Sequence, residues 1–480
     1  MMNLELIRSV KEYMEAHRSE VVRDLFRLVR IPSVRSDAEE GAPFGRACRA
    51  ALDEAVDLFR EYGFEASVSP DCTYGLASFG EGSPTLALFG HTDVVPVGDD
   101  WELTAPFDPI QLGDCLIGRG VEDNKGGVIL SLYTLRAFRD LKLPLAGRLL
   151  VFLGSAEEKG MEDIESFCRD NPMPELSIVP DNEYPICLGE KGIFHLMAES
   201  NDTLRDVTAV SGGMAFNVVL DRCTVKLRAT SALRTALADA VLGREEYTLG
   251  EEDGQLVLTA RGLTSHACMP DGSVNAMCLI SRLLSDLDAL DASDRAVFAS
   301  VTELLQTVHG EAFGIDCDDP YFGKVTSANG IVSLTEQGRL RVSFDIRYGS
   351  ASDGDEVEAS VRRTLAERGF SVVFAENSKG FRIDENAPAS RGMIEVYRSL
   401  SGQDAKPFYS GGGTYARHLT NAYSIGVSVP YIPKKLTFPR GHGDIHQSDE
   451  SVSLDALIES FSVATLMVCA SELAFLENSK

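Results

Sequence analysis

A histidine and an aspartate two residues apart follow directly on an apolar segment. The segment is 85–89, and His91 and Asp93 come after it in the run GHTDVVP. An imidazole can bind a metal ion while a nearby carboxylate holds the ring in position. We therefore predict that His91 is a metal ligand and that Asp93 orients it.

Carboxylates also follow other apolar segments. Two segments that read as strands run into Glu157–Glu158 and into Asp181, and Asp123 lies in a glycine-rich loop that opens into a helix. Because sites in open α/β sheets form outside the carboxyl ends of the strands, we expect these side chains to meet at one edge of a sheet. Carboxylate oxygens together with imidazole suit Zn²⁺, Mn²⁺ or Co²⁺.

A late segment supplies one more imidazole ligand. The run GHGDIHQSDE contains both His442 and His446, and their spacing alone does not distinguish the two.

The elements that must position these residues fall into three stretches. Nearly continuous apolar strands alternate with helices over 1–189 and return over 386–480, which predicts one α/β catalytic domain with a mixed, mostly parallel sheet flanked by helices. Strands of alternating polarity and several helices fill 190–385. We interpret this stretch as an inserted α+β lid domain.

Composition argues against several classes of partner. The 480-residue chain has 73 acidic and 45 basic residues and a net charge of −28, which disfavours binding to nucleic acid or to an anionic membrane. The charge serves solubility or attracts cations. We find no signal-peptide pattern and expect no apolar run long enough to span a bilayer. Ten cysteines without a Cys-x-x-Cys pair predict reduced thiols and a cytoplasmic protein.

The ordered motifs resemble the M20 family of co-catalytic metallopeptidases, most closely its dipeptidase V, carnosinase-like branch. The resemblance extends over nearly the whole chain. It rests on HTDVVP from 91, RGVEDNKG from 119, SAEEKG from 155, VPDNEYP from 179, SGGMAFNVV from 211, LTSHA around His266, DIRY from 345, GGGTYAR from 411 and HQSDE from 446.

The resemblance implies a role for each candidate ligand. His91 and Asp181 would bind one ion, Glu158 and His446 the second, and Asp123 would bridge both. The HQSDE motif is what favours His446 over His442. Glu157 would be the general base: it takes a proton from the attacking water and delivers it to the leaving nitrogen. A solvated helix start is the alternative interpretation of the Glu157–Glu158 pair.

The resemblance also implies substrate contacts. His266 would stabilise the oxyanion, although a partly buried core histidine is the alternative. Arg347 would bind the substrate carboxylate with two parallel hydrogen bonds, although an exposed strand arginine is the alternative. Asn217 and Thr414 match substrate-contacting positions, while the glycines before Thr414 are also compatible with a plain tight turn.

Two positions depart from the family pattern. Asn124 stands where close relatives often have aspartate, and the sequence does not tell whether the strained cis bond of the family is kept there. Lys159 follows the glutamate pair, and a cation at this place could lower the pKa of Glu157.

Together these observations predict a cytoplasmic dipeptidase that acts on short peptides with two divalent ions per chain, Zn²⁺ first and Mn²⁺ or Co²⁺ as alternatives. The size of the insertion implies by resemblance that His266 acts within its own chain and that the protein is a monomer. One alternative is a family amidohydrolase that removes a succinyl or acetyl group from an amino acid. Another is a non-catalytic relative that serves as a binding module.

Overall fold

The computed structural model describes residues 3–478 and divides the chain into two units. The first unit consists of Met1–Gly189, Ile383–Phe408 and Gly413–Lys480. The second unit consists of Glu190–Arg382 and Tyr409–Gly412.

The first part of the chain starts with three helices and five strands, after which helices and strands alternate. In chain order the elements are α1 (Leu4–Ala16), α2 (Arg18–Val29), α3 (Arg46–Glu61), β1 (Glu65–Val68), β2 (Gly75–Gly80), β3 (Thr85–His91), β4 (Ile110–Leu112), β5 (Cys115–Ile117), α4 (Lys125–Asp140), β6 (Arg148–Gly154), α5 (Glu162–Asp170), β7 (Leu176–Asn182) and β8 (Cys187–Glu190).

Strands dominate the middle of the chain. The elements are β9 (Gly192–Ser200), β10 (Val207–Gly212), β11 (Arg222–Arg228), α6 (Ser231–Val241), β12 (Tyr247–Glu252), β13 (Gln255–Arg261), α7 (Ala276–Ser285), α8 (Ala292–Leu305), β14 (Asp318–Asp319), β15 (Gly323–Lys324), β16 (Thr326–Ala328), β17 (Val332–Leu334), β18 (Leu340–Tyr348), α9 (Gly354–Glu367), β19 (Phe370–Ser378) and β20 (Phe381–Arg382).

The last part of the chain belongs to the first unit, except for Tyr409–Gly412, which belong to the second. Its elements are α10 (Pro388–Ser401), β21 (Phe408–Ser410), β22 (Ala422–Gly426), β23 (Ser451–Ser453) and α11 (Leu454–Asn478). Short 3₁₀ helices lie at Glu311–Phe313 and Tyr415–His418.

The main sheet of the first unit is mixed, with parallel strands at its centre. Its order is β1-β2-β6-β3-β7-β22-β8. Strand β3 runs parallel to both β6 and β7, and β22 runs parallel to β7, whereas β1, β2 and β8 pair antiparallel. The predicted α/β class is confirmed. The central strands are buried almost throughout because helices cover the sheet, which is why their sequences are continuously apolar.

An aromatic cluster fills the space beside the central strands. The ring of Phe152 lies 5.2 Å from the ring of Phe89, 5.3 Å from Phe167, 5.5 Å from Tyr74 and 5.2 Å from Tyr415, measured between centroids. Phe152 is fully buried. The cluster therefore ties β2, β3, β6 and α5 to the 3₁₀ turn at Tyr415–His418.

Helix α11 corrects one expectation from the sequence. Within residues 3–478 its segment Leu454–Phe475 is long and apolar enough, by length and composition alone, to cross a bilayer. In the fold 83% of that apolar window is buried inside the protein. The helix packs against α10, α1 and α4 and so forms part of the core of the first unit.

The second unit is an antiparallel sheet covered by helices. Its order is β12-β13-β11-β10-β17-β18-β9-β19. Helix α7 packs on β11 and β13, and α9 packs on β19 and β9, so apolar side chains of the strands and helices share one core. The expected α+β character of the inserted stretch is confirmed.

Replacing Phe152 with alanine tests the aromatic cluster. We expect the first unit to lose about 3–5 kcal/mol of unfolding free energy, because the neighbouring rings cannot collapse into the cavity. The single tryptophan of the chain, Trp101, lies in this unit. Urea unfolding followed by tryptophan fluorescence therefore reports on it. The control is Leu4→Ala, at a residue 82% exposed, which should change the free energy by less than about 0.5 kcal/mol. Equal effects of the two substitutions would contradict this account of the core.

Candidate metal centre

Five ligand side chains of the first unit meet in two groups that share one carboxylate. The ligand atoms of His91, Asp123 and Asp181 lie within 4.8 Å of one another, and so do those of Asp123, Glu158 and His446. One oxygen of Asp123 lies 3.3 Å from His91 Nε2, and the other lies 2.9 Å from His446 Nε2. Asp123 therefore presents one oxygen to each group, as a bridging ligand must.

Neighbouring parallel strands deliver two of these ligands. His91 ends β3, and its Nε2 lies 3.7 Å from Asp181 Oδ2 near the end of β7. In the adjacent pair His91 lies opposite Gly154, the last residue of β6. The strands thus end at one level, and the turn after β6 carries Glu157 and Glu158 to the same edge.

Asp93 holds the histidine and the glutamate pair together. His91 Nδ1 lies 3.0 Å from the carbonyl oxygen of Asp93 and 3.4 Å from its carboxylate. The same carboxylate accepts the backbone N–H groups of Glu157 and Glu158, each at 3.1 Å. Because Nδ1 faces Asp93, the Nε2 atom of His91 is directed at Asp123 and Asp181.

Asn124 contacts the same ligands from the other side. The Asp123–Asn124 peptide bond is cis. The side-chain oxygen of Asn124 accepts the backbone N–H of His91 at 3.2 Å, and its amide nitrogen donates to Asp181 Oδ1 at 2.9 Å. An amide can donate to Asp181, whereas an ionised aspartate at this position could not.

The loop that carries Asp123 is organised by a buried carboxylate that the sequence did not single out. Glu450 accepts the backbone N–H groups of Gly120, Glu122 and Asp123 at 3.1–3.2 Å through one oxygen. Its other oxygen accepts from Arg119 Nη1 at 2.6 Å, and both side chains are buried. The only signal in the sequence is that these two residues lie inside matched motifs, since 331 positions separate them.

The two histidines of the late segment have different surroundings. His442 Nδ1 lies 2.8 Å from Asp449, whose carboxylate also accepts backbone N–H groups of Glu102 and Leu103. His446 instead lies 2.9 Å from Asp123 and 3.4 Å from Glu158. The fold therefore gives His442 a loop-holding contact and places His446 in the ligand group.

The donor set fits divalent cations. Among the residues that the structure describes, His91 Nε2 and Glu158 Oε1 are buried polar atoms without a hydrogen-bond partner. Unpaired buried donors and acceptors are costly, and a cation would satisfy both. Zn²⁺ and Mn²⁺ accept this mixture of imidazole and carboxylate.

Burial and mutual repulsion shift the protonation of the acidic groups. Burial and the charge of Asp181 raise the pKa of Glu157 well above its usual value. Burial and the charge of Asp123 raise the pKa of Glu158 to about 7. Lys159 is exposed, and burial and neighbouring carboxylates dominate over any lowering of the Glu157 pKa by this cation.

The imidazole of His446 is shifted in the same direction. Burial disfavours its charged form, but hydrogen bonds with Asp123 and Glu158 outweigh this effect and raise its pKa to about 11. Without a cation, His446 therefore carries a proton at neutral pH.

Arg347 in the second unit is not an exposed strand arginine. It is 4% exposed, and its Nε and Nη2 donate to the two oxygens of Asp345 at 2.5 and 2.7 Å. Its Nη1 donates to the carbonyl of Gly411 at 3.1 Å, and His195 Nε2 lies 3.0 Å from Asp345. Sequence reasoning missed Asp345. Because Asp345 and Arg347 are two residues apart on one strand, their side chains lie on the same face of the sheet, and this spacing could have indicated the pair.

The remaining candidates lie in different places. His266 and Asn217 are exposed in the second unit, so the alternative of a core histidine is excluded for His266. Thr414 lies buried in the first unit, where its hydroxyl accepts the N–H of Ala416 at 3.1 Å and caps the 3₁₀ turn.

Comparisons with known proteins agree with this fold. The sequence profile described as "Peptidase family M20/M25/M40" matches residues 87–469. A Staphylococcus haemolyticus protein named "Putative dipeptidase SH1171" is 27% identical over 470 residues, which cover 94% of this chain and 97% of that protein.

Solved structures show the same architecture. Human carnosine dipeptidase 1 is similar with a TM-score of 0.58 and 15% identity, over 98% of this chain and 99% of that chain. The dipeptidase Dug1p of Saccharomyces cerevisiae is similar with a TM-score of 0.59 and 13% identity, over 97% and 98%. The chain belongs to peptidase family M20/M25/M40 and is a metallopeptidase.

Metal binding should release protons. Since His446 must lose its proton before Nε2 can bind a cation, and its pKa is raised, we expect apparent Zn²⁺ affinity to rise with pH through the neutral range. Titration calorimetry at pH 7 in two buffers of different ionisation enthalpy measures the release. His446→Gln should lower the number of protons released, while the protonated carboxylates of the site supply the rest. Identical heats in both buffers for the unsubstituted protein would contradict the assignment.

Proposed function

We propose that this metallopeptidase is a dipeptidase that hydrolyses short peptides with a free C-terminal carboxylate. The observation that carries the proposal is the shared carboxylate of Asp123, with Glu157 beside the two ligand groups. Two divalent ions held there would supply a water of lowered pKa and polarise the scissile carbonyl. Zn²⁺ is the first choice of ion, with Mn²⁺ or Co²⁺ as alternatives.

Glu157 has the surroundings of a general base. Its backbone is fixed by Asp93, and its Oε2 lies 4.0 Å from His91 Nε2. A raised pKa suits a carboxylate that accepts a proton from the attacking water and passes it to the leaving nitrogen at neutral pH.

Chelation tests the function as a whole. We expect the metal-free protein to lose hydrolysis of dipeptides, and added Zn²⁺, Mn²⁺ or Co²⁺ to restore it. A panel of dipeptides, tripeptides and N-succinyl or N-acetyl amino acids identifies the substrate class by kcat/KM. Full turnover after complete removal of metal would refute the proposal, and faster cleavage of the N-acyl amino acids would select the amidohydrolase alternative.

Glu157→Gln separates the base from the ligands. We expect kcat to fall by about 10²–10⁴-fold, because general acid–base groups contribute this much. Metal content should stay near that of the unsubstituted enzyme. Glu165→Gln, at an exposed glutamate of α5, is the matched control and should leave kcat unchanged. Loss of metal with retained turnover on reconstitution would reverse the roles of Glu157 and Glu158.

Arg347 is proposed to bind the substrate carboxylate. The bidentate contact with Asp345 fixes the plane of its guanidinium, so the N–H groups directed away from Asp345 are held in place. A preorganised arginine loses little entropy when it binds a carboxylate. This interaction would favour dipeptides over substrates that lack a free C-terminus.

A cycle of enzyme and substrate changes tests Arg347. Arg347→Ala and amidation of the dipeptide C-terminus should each lower kcat/KM by roughly 10–100-fold, the range of hydrogen bonds to charged groups. The two losses should not add, because both remove one interaction. Arg341→Ala, an exposed arginine of the same strand, is the control. If Arg347→Ala lowers kcat/KM equally for the free and the amidated dipeptide, Arg347 does not bind the substrate carboxylate and serves only as a partner for Asp345.

The proposal also covers His266, the assembly state and the inserted stretch. We propose that His266 stabilises the oxyanion from within its own chain, that the protein acts as a cytoplasmic monomer, and that 190–385 serves as a lid domain. Asn217 and Thr414 are proposed substrate contacts, although the observed bond of Thr414 to the 3₁₀ turn also gives it a structural role.

A further inference from the structure

His266 receives two contacts from a residue that no part of the proposed reaction uses. The backbone N–H of Cys268 donates to Nδ1 of His266 at 3.2 Å, and Sγ of Cys268 lies 2.9 Å from the same nitrogen. Both residues belong to the second unit. One ring nitrogen is therefore held by two groups of a single neighbour.

These contacts decide which nitrogen carries the proton. A backbone amide can only donate, so the Nδ1 atom that faces it accepts. In a neutral imidazole the other nitrogen, Nε2, then bears the hydrogen. An Nε2–H group is a hydrogen-bond donor, which is what stabilisation of an oxyanion requires.

The thiol can share the single lone pair of Nδ1 with the backbone amide, as the weaker donor of a three-centre hydrogen bond. Burial raises the pKa of Cys268, and this effect outweighs the opposing charges of Arg347 and Lys191. The sulfur is therefore protonated at neutral pH, and its S–H group can point at the ring.

Close packing holds Cys268 in place. A Cβ atom built on Gly411 would come within 2.9 Å of the Cβ of Cys268, so the glycine permits this approach. The carbonyl of Gly411 accepts from Arg347. On the other side the N–H of Ala267 donates to the carbonyl of Asn217 at 2.9 Å, and that of Met269 donates to the carbonyl of His266 at 2.9 Å.

We propose that Cys268 is a positioning residue for His266: its amide and thiol fix the ring with Nδ1 as acceptor and Nε2–H as donor. The inference rests on the proposed role of His266 in the reaction. It assigns to Cys268 no contact with the substrate. Its effect is to keep one tautomer and one ring orientation ready before the substrate binds.

Kinetics of two substitutions at one position test the thiol. In Cys268→Ala the S–H donor is lost, and we expect kcat for a dipeptide with the Zn²⁺-loaded enzyme to fall about twofold to tenfold, the range of one neutral hydrogen bond. KM should change less than twofold, because the interaction acts in the transition state. Cys268→Ser should restore most of kcat, since a hydroxyl can donate to Nδ1. A merely space-filling thiol would make serine as poor as alanine.

The tautomer is measured directly. Two-bond ¹H–¹⁵N correlation spectra of the Zn²⁺-loaded protein with labelled histidine distinguish Nε2–H from Nδ1–H rings. The chain has eight histidines, and the signal absent from His266→Gln identifies His266. We expect the Nε2–H form in the unsubstituted protein, in Cys268→Ser and in Cys268→Ala, because the backbone amide that makes Nδ1 an acceptor is kept in all three. The Nδ1 chemical shift should move in Cys268→Ala, where the thiol contact is lost, and much less in Cys268→Ser. Cys278→Ala, another partly buried cysteine of this unit, is the control.

The outcomes separate this inference from the proposed function. Unchanged kcat in His266→Gln would remove the role of His266 itself. A large loss in His266→Gln, together with unchanged kcat in Cys268→Ala or an Nδ1–H ring in the unsubstituted protein, would overturn the inference for Cys268 alone.

Discussion

The buried carboxylate of Glu450 is the constraint on which the candidate centre depends. It ties the backbone of the loop at 119–123 to the C-terminal part of the chain, and Arg119 neutralises its charge within the same contact. Removing one partner of a buried ion pair typically costs about 3–5 kcal/mol, because the other charge is left uncompensated. Asp123, which faces both ligand groups, is the last residue of that loop to donate to Glu450. Backbone hydrogen bonds to Glu450 therefore hold Asp123 in the position between the two ligand groups, and no cation is needed for this.

The same edge of the sheet concentrates carboxylates that repel one another. Burial raises the pKa values of Glu157 and Glu158, while Asp123 is held ionised by its contacts with the two histidines. Such a cluster opposes folding of the protein without cations, since buried like charges are costly. A divalent cation bound there would relieve that repulsion, so the cluster favours cation binding. Stability and activity are thus linked through one set of side chains. Asp93 positions His91 and the glutamate pair, and Asn124 contacts His91 and Asp181.

A connected series of contacts joins the candidate substrate groups of the second unit. Asp345 fixes Arg347, Arg347 donates to Gly411, and Gly411 packs against Cys268, which contacts His266. The series depends on glycine at 411, where any side chain would displace Cys268. The Gly411–Gly413 run, which the sequence left open as a plain turn, therefore has a packing reason at its first residue. A change at Gly411 would disturb both the arginine and the histidine.

The sequence by itself determined the class of fold and the kinds of side chain that gather at the strand ends. Continuous apolar strands can only lie in a covered sheet, and strand ends bring carboxylates to one edge. Spacing alone did not determine whether His442 or His446 faces Asp123, although the HQSDE motif favoured His446. In the fold the choice depends on how Asp449 holds its loop. Nor did the sequence reveal Glu450, Asn124 or Asp345 as positioning groups, since their partners are backbone amides or side chains that only the folded chain brings near. Periodicity and spacing record which face of an element is buried. Hydrogen bonds between distant segments, such as Glu450 with Arg119, follow from tertiary packing alone.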